Sequence, residues 1–206
     1  MIDYQSLRTA PPELNIAGVG DLLSMHTATF DWCLAEKAGK SEYPFSAADV
    51  DAARQILADI MGQAAEIRRC TDTGLQGIVD GYMRMNTICL PAGHYRVEEG
   101  SEHYLFYELE ERLARPFIHG NIVGLGIYLL SRLQENEPNR ITDFMDEVGL
   151  RYHPADMAIR REDLVNSLLS LRTFVQSRPH LWYTVIDERP IDQRWIETHL
   201  AGLRFE

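Results

Sequence analysis

The sequence predicts an all-α fold, a compact multi-helix bundle with little or no sheet. Apolar residues recur at helical spacing along most of the 206 residues. Only one stretch, "LWYTVI" at 181–186, has the composition of a β-strand. No internal repeat, low-complexity tract or linker divides the chain, so we expect residues 1–206 to form a single helical domain.

Glycine and proline residues mark where the helical patterns stop. The adjacent Pro11 and Pro12 favour an extended or looped segment over residues 1–16. Gly39 ends the first helical pattern, and Pro91 ends the third. The expected helices cover residues 20–39, 46–70, 73–90, 101–114, 119–134, 141–148, 161–176 and 191–201.

Composition excludes several classes of function. The net charge of -11 and the lack of a basic stripe argue against a nucleic-acid partner. The three cysteines show no Cys-x-x-Cys pair, which indicates reduced thiols. The apolar runs are too short to span a bilayer, and the N-terminus lacks a signal core, so we expect no membrane partner. We therefore expect a cytoplasmic protein whose acidic charge and apolar helices allow homo-oligomers.

Asp21, His103 and His119 form a candidate metal site. Catalytic zinc takes three protein ligands, commonly imidazole and carboxylate groups, and keeps one position open. Each residue also has an ordinary explanation. Asp21 follows "GVG" and fits the beginning of a helix, where an acid is favourable. His103 fits a partly buried residue in a helix capped by Ser101, and His119 fits a cap or loop. The spacing alone leaves these alternatives open.

The two histidines can approach each other despite their separation in sequence. A helix over residues 102–113 would be about 17 Å long at 1.5 Å per residue. Residues 114–119 contain Pro116 and, when extended, reach at most about 20 Å. The chain can therefore return alongside its own helix and place His119 near His103.

Three segments resemble a known family. They are "APPELNIAGVGDLLSMHTATFDW" (10–32), "EGSEH" (99–103) and "FIHGNIVGLGIYLL" (117–130). Together they resemble the metal-binding half of the iron-containing alcohol dehydrogenase superfamily, and most of all its glycerol-1-phosphate dehydrogenase branch. Glycerol dehydrogenase and dehydroquinate synthase are related to that branch. The resemblance implies the helical fold of a dehydroquinate synthase-like C-terminal domain.

The resemblance places the family's metal ligands on Asp21, His103 and His119. It implies zinc, although iron and nickel accept the same ligands. In the family, the metal polarises the substrate hydroxyl or carbonyl, and hydride is exchanged with NAD(P). Iron-type members carry a further histidine four residues after the aspartate. That position is Met25 here, which favours the three-ligand, zinc-like version.

Arg96 and His94 are the expected substrate-binding residues. Arg96 retains the arginine of the family pattern Arg-Pro-Ala-Ser-Gly-Ser-Glu-His and can bind a phosphate. Glu98 and Glu99 replace small residues of that pattern, so pairing of Arg96 with these carboxylates is an equal alternative. His94 lies in the loop after Pro91 and can reach a substrate. No residue is assigned to cofactor binding, and no catalytic residue is assigned beyond the metal ligands.

The family's N-terminal nucleotide-binding domain is expected to be absent from this chain. NAD(P) would then need a separate domain, in a longer parent chain or in a nucleotide-binding partner chain. We therefore expect the metal- and substrate-binding domain of an NAD(P)-dependent polyol or polyol-phosphate dehydrogenase, inactive in isolation. One rival hypothesis is a non-redox metal-binding partner subunit without its own NAD(P) site. Another is metal-assisted lyase or cyclase chemistry, as in dehydroquinate synthase-like relatives.

Overall fold

The computed structural model describes residues 3–205 and confirms the all-α prediction, because no β-strand occurs within that range. One short 3-10 helix, Pro154–Met157, accompanies the α-helices. The α-helices are α1 Tyr4–Thr9, α2 Pro12–Leu23, α3 Met25–Lys37, α4 Ala47–Met61, α5 Ala64–Arg68, α6 Asp72–Ala92, α7 Ser101–Leu113, α8 His119–Gln134, α9 Pro138–Val148, α10 Arg161–Gln176, α11 Val185–Glu188 and α12 Gln193–Leu200.

The prediction of a loop over residues 1–16 is wrong for residues 3–16, and residues 1 and 2 lie outside the described residues. Asp3 caps α1, and its side chain accepts a hydrogen bond from the amide of Gln5. Pro12 then occupies the first position of α2. Proline is tolerated there because the first amides of a helix have no partner within the helix. The two prolines therefore separate two helices.

The strand-like composition of residues 181–186 does not produce a β-strand. Residues 181–184 are irregular, and Val185 begins α11 after a cap by Thr184. The amide of Trp182 donates to the Tyr104 hydroxyl, and that of Tyr183 donates to Glu42. Side chains thus supply the partners that a neighbouring strand would have offered.

Several helix boundaries differ from those expected. The first pattern is divided at Ser24 into α2 and α3, and the second is divided after Met61 into α4 and α5. Helix α6 continues through Pro91 to Ala92. Pro91 lacks the amide that would donate to the carbonyl of Thr87, but this loss is confined to the last turn of the helix. Gly93 then stops the helix in a left-handed conformation.

Helix α8 lies at the centre of the bundle. Nearly all its residues are buried, and it packs against α2, α3, α7 and α9. A helix that is apolar on all sides is typical of such a central position. Within residues 3–205, no helix is both long enough and apolar enough to cross a membrane.

Glycines allow α8 to come very close to α2. A Cβ atom added to Gly20 would lie 2.0 Å from the carbonyl oxygen of Gly120. A Cβ atom added to Gly120 would lie 1.6 Å from the carbonyl oxygen of Ala17. Both distances are far below van der Waals contact, so a side chain at either position would force the helices apart.

A similar approach joins α7 to α8. A Cβ atom added to Gly126 would lie 2.5 Å from the carbonyl oxygen of Glu102. Glu102 is in the first turn of α7. The glycines of the segment 117–130 therefore bring the beginnings of α7 and α8, and the adjoining part of α2, into one place.

Asp31 is a buried carboxylate that connects three helices. From α3, it accepts hydrogen bonds from the amide of Ser101, which begins α7, and of Val185, which begins α11, both at 2.9 Å. Burial raises the pKa of Asp31 to about 6, and the nearby Glu102 carboxylate makes a smaller contribution in the same direction. Asp31 therefore fixes the first turn of α7 by direct bonds to its backbone.

We expect Gly120→Ala to lower the free energy of unfolding by about 3 kcal/mol or more, because the added methyl group would overlap the backbone of α2. Urea unfolding followed by circular dichroism measures the change. Gly62→Ala is the control, since a Cβ atom there would lie 3.5 Å from its nearest neighbours. Equal stability of the two variants would contradict the close packing of α2 on α8.

We expect the stability contribution of Asp31 to fall as the pH rises from about 4 to about 6. In this window the folded chain retains a proton on Asp31 that the unfolded chain releases, since the folded-state pKa is the higher one. Relative to Asp31→Asn, the wild type should lose roughly 1–3 kcal/mol of unfolding free energy across the window. Urea unfolding at several pH values measures this, with the exposed Asp143→Asn as control. Parallel pH profiles for wild type and Asp31→Asn would contradict it.

Candidate metal centre

The three predicted metal ligands come from three different helices. Asp21 lies in the last turn of α2, His103 in the first turn of α7, and His119 at the first position of α8. The expectation that Asp21 begins a helix is wrong, because α2 starts nine residues earlier, at Pro12. An acid near the negative C-terminal end of a helix is electrostatically unfavourable. A helix-terminal role therefore does not explain Asp21.

The ordinary explanation for His103 also needs correction. Gly100, and not Ser101, is the residue before α7, and its position has no side-chain cap. The first turn of α7 is held instead by Asp31, through the amide of Ser101. His103 is nearly fully buried there.

The donor atoms of the three residues converge. Nε2 of His119 lies 2.9 Å from Oδ1 of Asp21 and 3.3 Å from Nε2 of His103. Nε2 of His103 lies 3.5 Å from the same Oδ1. One triangle of three donor atoms thus joins residues that are up to 98 positions apart in sequence.

This triangle has the size that a zinc ion requires. Three ligands at about 2.0–2.1 Å from a tetrahedral ion are about 3.3 Å apart. The observed separations of 2.9, 3.3 and 3.5 Å bracket that value. Two imidazole nitrogens and one carboxylate oxygen also form a donor set suited to zinc, and the residues therefore fit the ion that the resemblance implies.

Glu102 orients the ring of His103. Its Oε1 lies 2.9 Å from Nδ1 of His103 and 2.8 Å from the amide of Gly100, and Glu102 is fully buried. A carboxylate facing Nδ1 favours the tautomer with the proton on that atom, which leaves the lone pair of Nε2 for a metal. Glu102 belongs to the "EGSEH" motif, but its role is visible only in the structure.

The carboxylates around His103 also change its proton affinity. Burial alone would lower the pKa of His103, but the hydrogen bonds with Asp21 and Glu102 outweigh burial and raise it to about 10. Conversely, burial would raise the pKa of Asp21, but the hydrogen bonds with His103 and His119 hold it well below its ordinary value. A metal ion entering the triangle would therefore displace a proton from His103.

Tyr82 is a residue of the candidate site that only the structure reveals. Tyr82 lies on α6, and its hydroxyl has two acceptors within hydrogen-bond distance. They are Oδ2 of Asp21, at 3.1 Å, and the carbonyl oxygen of Gly18, at 2.8 Å. Burial raises the pKa of Tyr82 far above its ordinary value, and the negative charge of Asp21 makes a smaller contribution in the same direction. The hydroxyl therefore remains protonated. Tyr82 belongs to no recognised motif, so no sequence signal pointed to it.

Glu98 adds a further carboxylate to this region. Burial raises the pKa of Glu98 to about 8, and the negative charge of Asp21 makes a smaller contribution in the same direction. Its Oε2 is buried and has no hydrogen-bond partner within residues 3–205. This carboxylate occupies a position where the family pattern has a small residue.

The site is open to solvent on one side. The side chain of His119 is 47% exposed, whereas those of Asp21 and His103 are 14% and 6% exposed. The ring of Phe106 lies edge-on to that of His119, with centroids 4.9 Å apart. A small molecule can therefore approach the three donor atoms from the side of His119.

His94 and Arg96 lie in a separate cluster of side chains. The ring of His94 stacks on that of Tyr43 at 4.3 Å. Arg96 is fully buried, and its guanidinium group donates a hydrogen bond to the carbonyl oxygen of Tyr183. Its Cζ lies 5.2 Å from the centroid of the Trp182 ring. No hydrogen bond or ion pair within the described part of the chain joins His94 or Arg96 to the three metal ligands.

Arg96 does not form the ion pair with Glu98 or Glu99 that the alternative prediction requires. Its nearest acidic partner is Glu42, at 3.9 Å, and not Glu98 or Glu99. Glu99 instead accepts a hydrogen bond from the Tyr107 hydroxyl at 2.6 Å. The substrate-binding roles of Arg96 and His94 remain predictions.

The chain is similar in sequence to several glycerol-1-phosphate dehydrogenases. No family model matches it. It is 28% identical over 195 residues to the glycerol-1-phosphate dehydrogenase [NAD(P)+] of Pyrococcus horikoshii, covering 95% of this chain and 55% of that protein. It is 26% identical over 197 residues to the enzyme of the same name from Aeropyrum pernix, covering 96% and 54%. The chain thus spans about half the length of the relatives it matches.

A solved structure shares the fold. A probable glycerol dehydrogenase from Sinorhizobium meliloti 1021 superposes with a TM-score of 0.65, at 18% sequence identity, over 94% of this chain and 55% of that one. The relatives confirm the resemblance in sequence to glycerol-1-phosphate dehydrogenases, and the solved structure shows that a probable glycerol dehydrogenase shares the fold.

Proposed function

We propose that this chain is the metal- and substrate-binding domain of an NAD(P)-dependent polyol or polyol-phosphate dehydrogenase. The observation that carries the proposal is the convergence of Asp21, His103 and His119 on one point, at separations that suit a zinc ion. The similarity to glycerol-1-phosphate dehydrogenases supports the substrate class.

Asp21, His103 and His119 would hold the metal, and Glu102 would keep His103 in the tautomer that can bind it. When bound, the metal supplies a Lewis acid that polarises the substrate hydroxyl or carbonyl oxygen. Zinc fits best, because the set contains two imidazoles and one carboxylate, while iron and nickel accept the same donors.

NAD(P) binding would need residues beyond those described. Residues 3–205 contain no β-strand and therefore no strand–helix–strand unit of the kind that binds dinucleotides. We propose that a separate nucleotide-binding domain, in a longer chain or a partner chain, supplies this site. Residues 3–205 would then bind metal without binding NAD(P) tightly.

We expect His103→Ala and Asp21→Ala each to abolish or greatly weaken zinc binding, because either change removes one of three ligands. Metal content after dialysis and competition with a chromophoric chelator measure the loss. His180→Ala is the control, since His180 is exposed and lies outside the cluster. Zinc content unchanged by both ligand substitutions would refute the site. Zinc binding without activity after addition of a nucleotide-binding domain would favour a non-redox partner subunit.

We also propose, from the resemblance, that Arg96 binds the phosphate of a phosphorylated substrate. Arg96→Gln is then expected to weaken binding of glycerol 1-phosphate to the zinc-loaded protein about 10-fold or more, and to change binding of glycerol little. Isothermal titration with both ligands measures this, and circular dichroism tests folding, because Arg96 is buried. Equal weakening for both ligands would contradict a phosphate contact and leave Arg96 a structural role.

A further inference from the structure

We propose that Tyr82 is a positioning residue of the metal site, whose hydroxyl holds the Asp21 carboxylate with Oδ1 toward the two histidines. The inference rests on the proposed function, since it presumes that Asp21 binds a metal. It assigns a task to a residue that no motif identifies and that comes from α6, a helix that contributes no ligand.

The two oxygens of the Asp21 carboxylate have different neighbours. Oδ1 faces Nε2 of both His119, at 2.9 Å, and His103, at 3.5 Å. Oδ2 faces the Tyr82 hydroxyl at 3.1 Å. The terminal torsion of an aspartate is soft, so packing alone defines its carboxylate plane poorly. A hydrogen bond to one oxygen fixes that plane and leaves the other oxygen for the metal.

Packing of α6 on α2 brings the Tyr82 ring to this place. A Cβ atom added to Gly81 would lie 2.9 Å from a methyl group of Leu22, the neighbour of Asp21. A Cβ atom added to Gly18 would lie 3.9 Å from the Tyr82 ring, an ordinary contact distance. The Tyr82 ring therefore lies beside α2 and packs against the core, and its hydroxyl reaches Asp21. Replacing tyrosine by phenylalanine keeps the ring and removes only the hydrogen bonds of the hydroxyl.

The Tyr82 hydroxyl has two acceptors but only one proton. Besides Oδ2 of Asp21, it lies 2.8 Å from the carbonyl oxygen of Gly18. A charged carboxylate is the stronger acceptor, although the carbonyl is nearer. A bond to Gly18 alone would make Tyr82 a purely structural residue of the α2–α6 contact. The two roles differ in one measurable respect, since only a bond to Asp21 affects metal affinity.

The decisive experiment compares Tyr82→Phe with Tyr152→Phe. The Tyr152 hydroxyl donates to Oδ1 of Asp146 at 2.8 Å, so the control removes the same tyrosine–aspartate bond from a place outside the metal ligands. Zinc affinity is measured by chelator competition, and the visible spectrum of the cobalt-loaded protein reports the ligand geometry. Tyr82→Phe should bind zinc about 10–100-fold more weakly and alter the cobalt spectrum, as for other partners of metal ligands. Tyr152→Phe should stay within about twofold of the wild type, because no metal ligand loses a hydrogen bond.

A rescue variant separates the loss of a donor from a loss of folding. Replacement of Tyr82 by 4-aminophenylalanine keeps a donor in the same place, and it should restore zinc affinity toward the wild-type value. Thermal midpoints of all variants are recorded in parallel. A lower midpoint for Tyr82→Phe with unchanged zinc affinity would overturn the inference, as would a failure of the rescue variant, if folded, to regain affinity.

The inference and the proposed function fail in different ways. If Asp21→Ala and His103→Ala lose zinc while Tyr82→Phe binds it as the wild type does, the inference is wrong and the metal site stands. If none of the three variants loses zinc, both are wrong.

Discussion

The close approach of α2 to α8 is the constraint on which the candidate site depends. The contact is backbone against backbone, because neither Gly20 nor Gly120 has room for a Cβ atom. Asp21 follows the first glycine and His119 precedes the second. The packing that joins the two helices therefore also joins the carboxylate and the exposed imidazole, and separation of the helices would separate the two donors. Gly20 and Gly120 therefore determine both the packing of α2 on α8 and the approach of the two donor side chains.

The distribution of charge favours a cation at this place over an ordinary ion pair. Asp21 lies at the negative end of α2, where a carboxylate is unfavourable without compensation. Glu102 is fully buried. Within residues 3–205, neither carboxylate pairs with a lysine or an arginine, and the ion pairs of both are made with His103 or His119. A bound divalent cation would offset both carboxylates and would do so without the extra proton that His103 otherwise holds.

The sequence predicted the parts of the fold that local signals define. The bounds of α8 and α10 agree with the expected helices 119–134 and 161–176, because helical periodicity ends there at clear stops. Asp21, His103 and His119 were predicted as ligands from motifs, and the close packing of the helices explains why Gly20, Gly120 and Gly126 of those motifs are glycines. Glycine at a site of close approach is visible in a sequence, although its partner is not.

The remaining features depend on tertiary contacts that a single sequence does not show. Pro12 reads as a helix breaker until its place at the first position of α2 is known. Residues 181–184 have strand composition, but the amides of Trp182 and Tyr183 donate to side chains far away in sequence, Tyr104 of α7 and Glu42 of the loop between α3 and α4. Tyr82 meets Asp21 across 61 positions through the packing of α6 on α2. In each case, the residue type and its spacing are compatible with several local structures. The contacts made in the folded chain determine which of these structures forms.

The three candidate ligands are supported differently on the two sides of the site. On the buried side, His103 is fixed by Glu102 and Asp21 has Tyr82 beside it, so both ligands have a hydrogen-bonding neighbour behind them. On the open side, His119 is half exposed and is placed by its position at the beginning of α8. A fourth ligand or a substrate oxygen could reach a metal there from the side of His119. The buried half of the site would therefore fix the metal, and the open half would admit the molecule on which the metal acts.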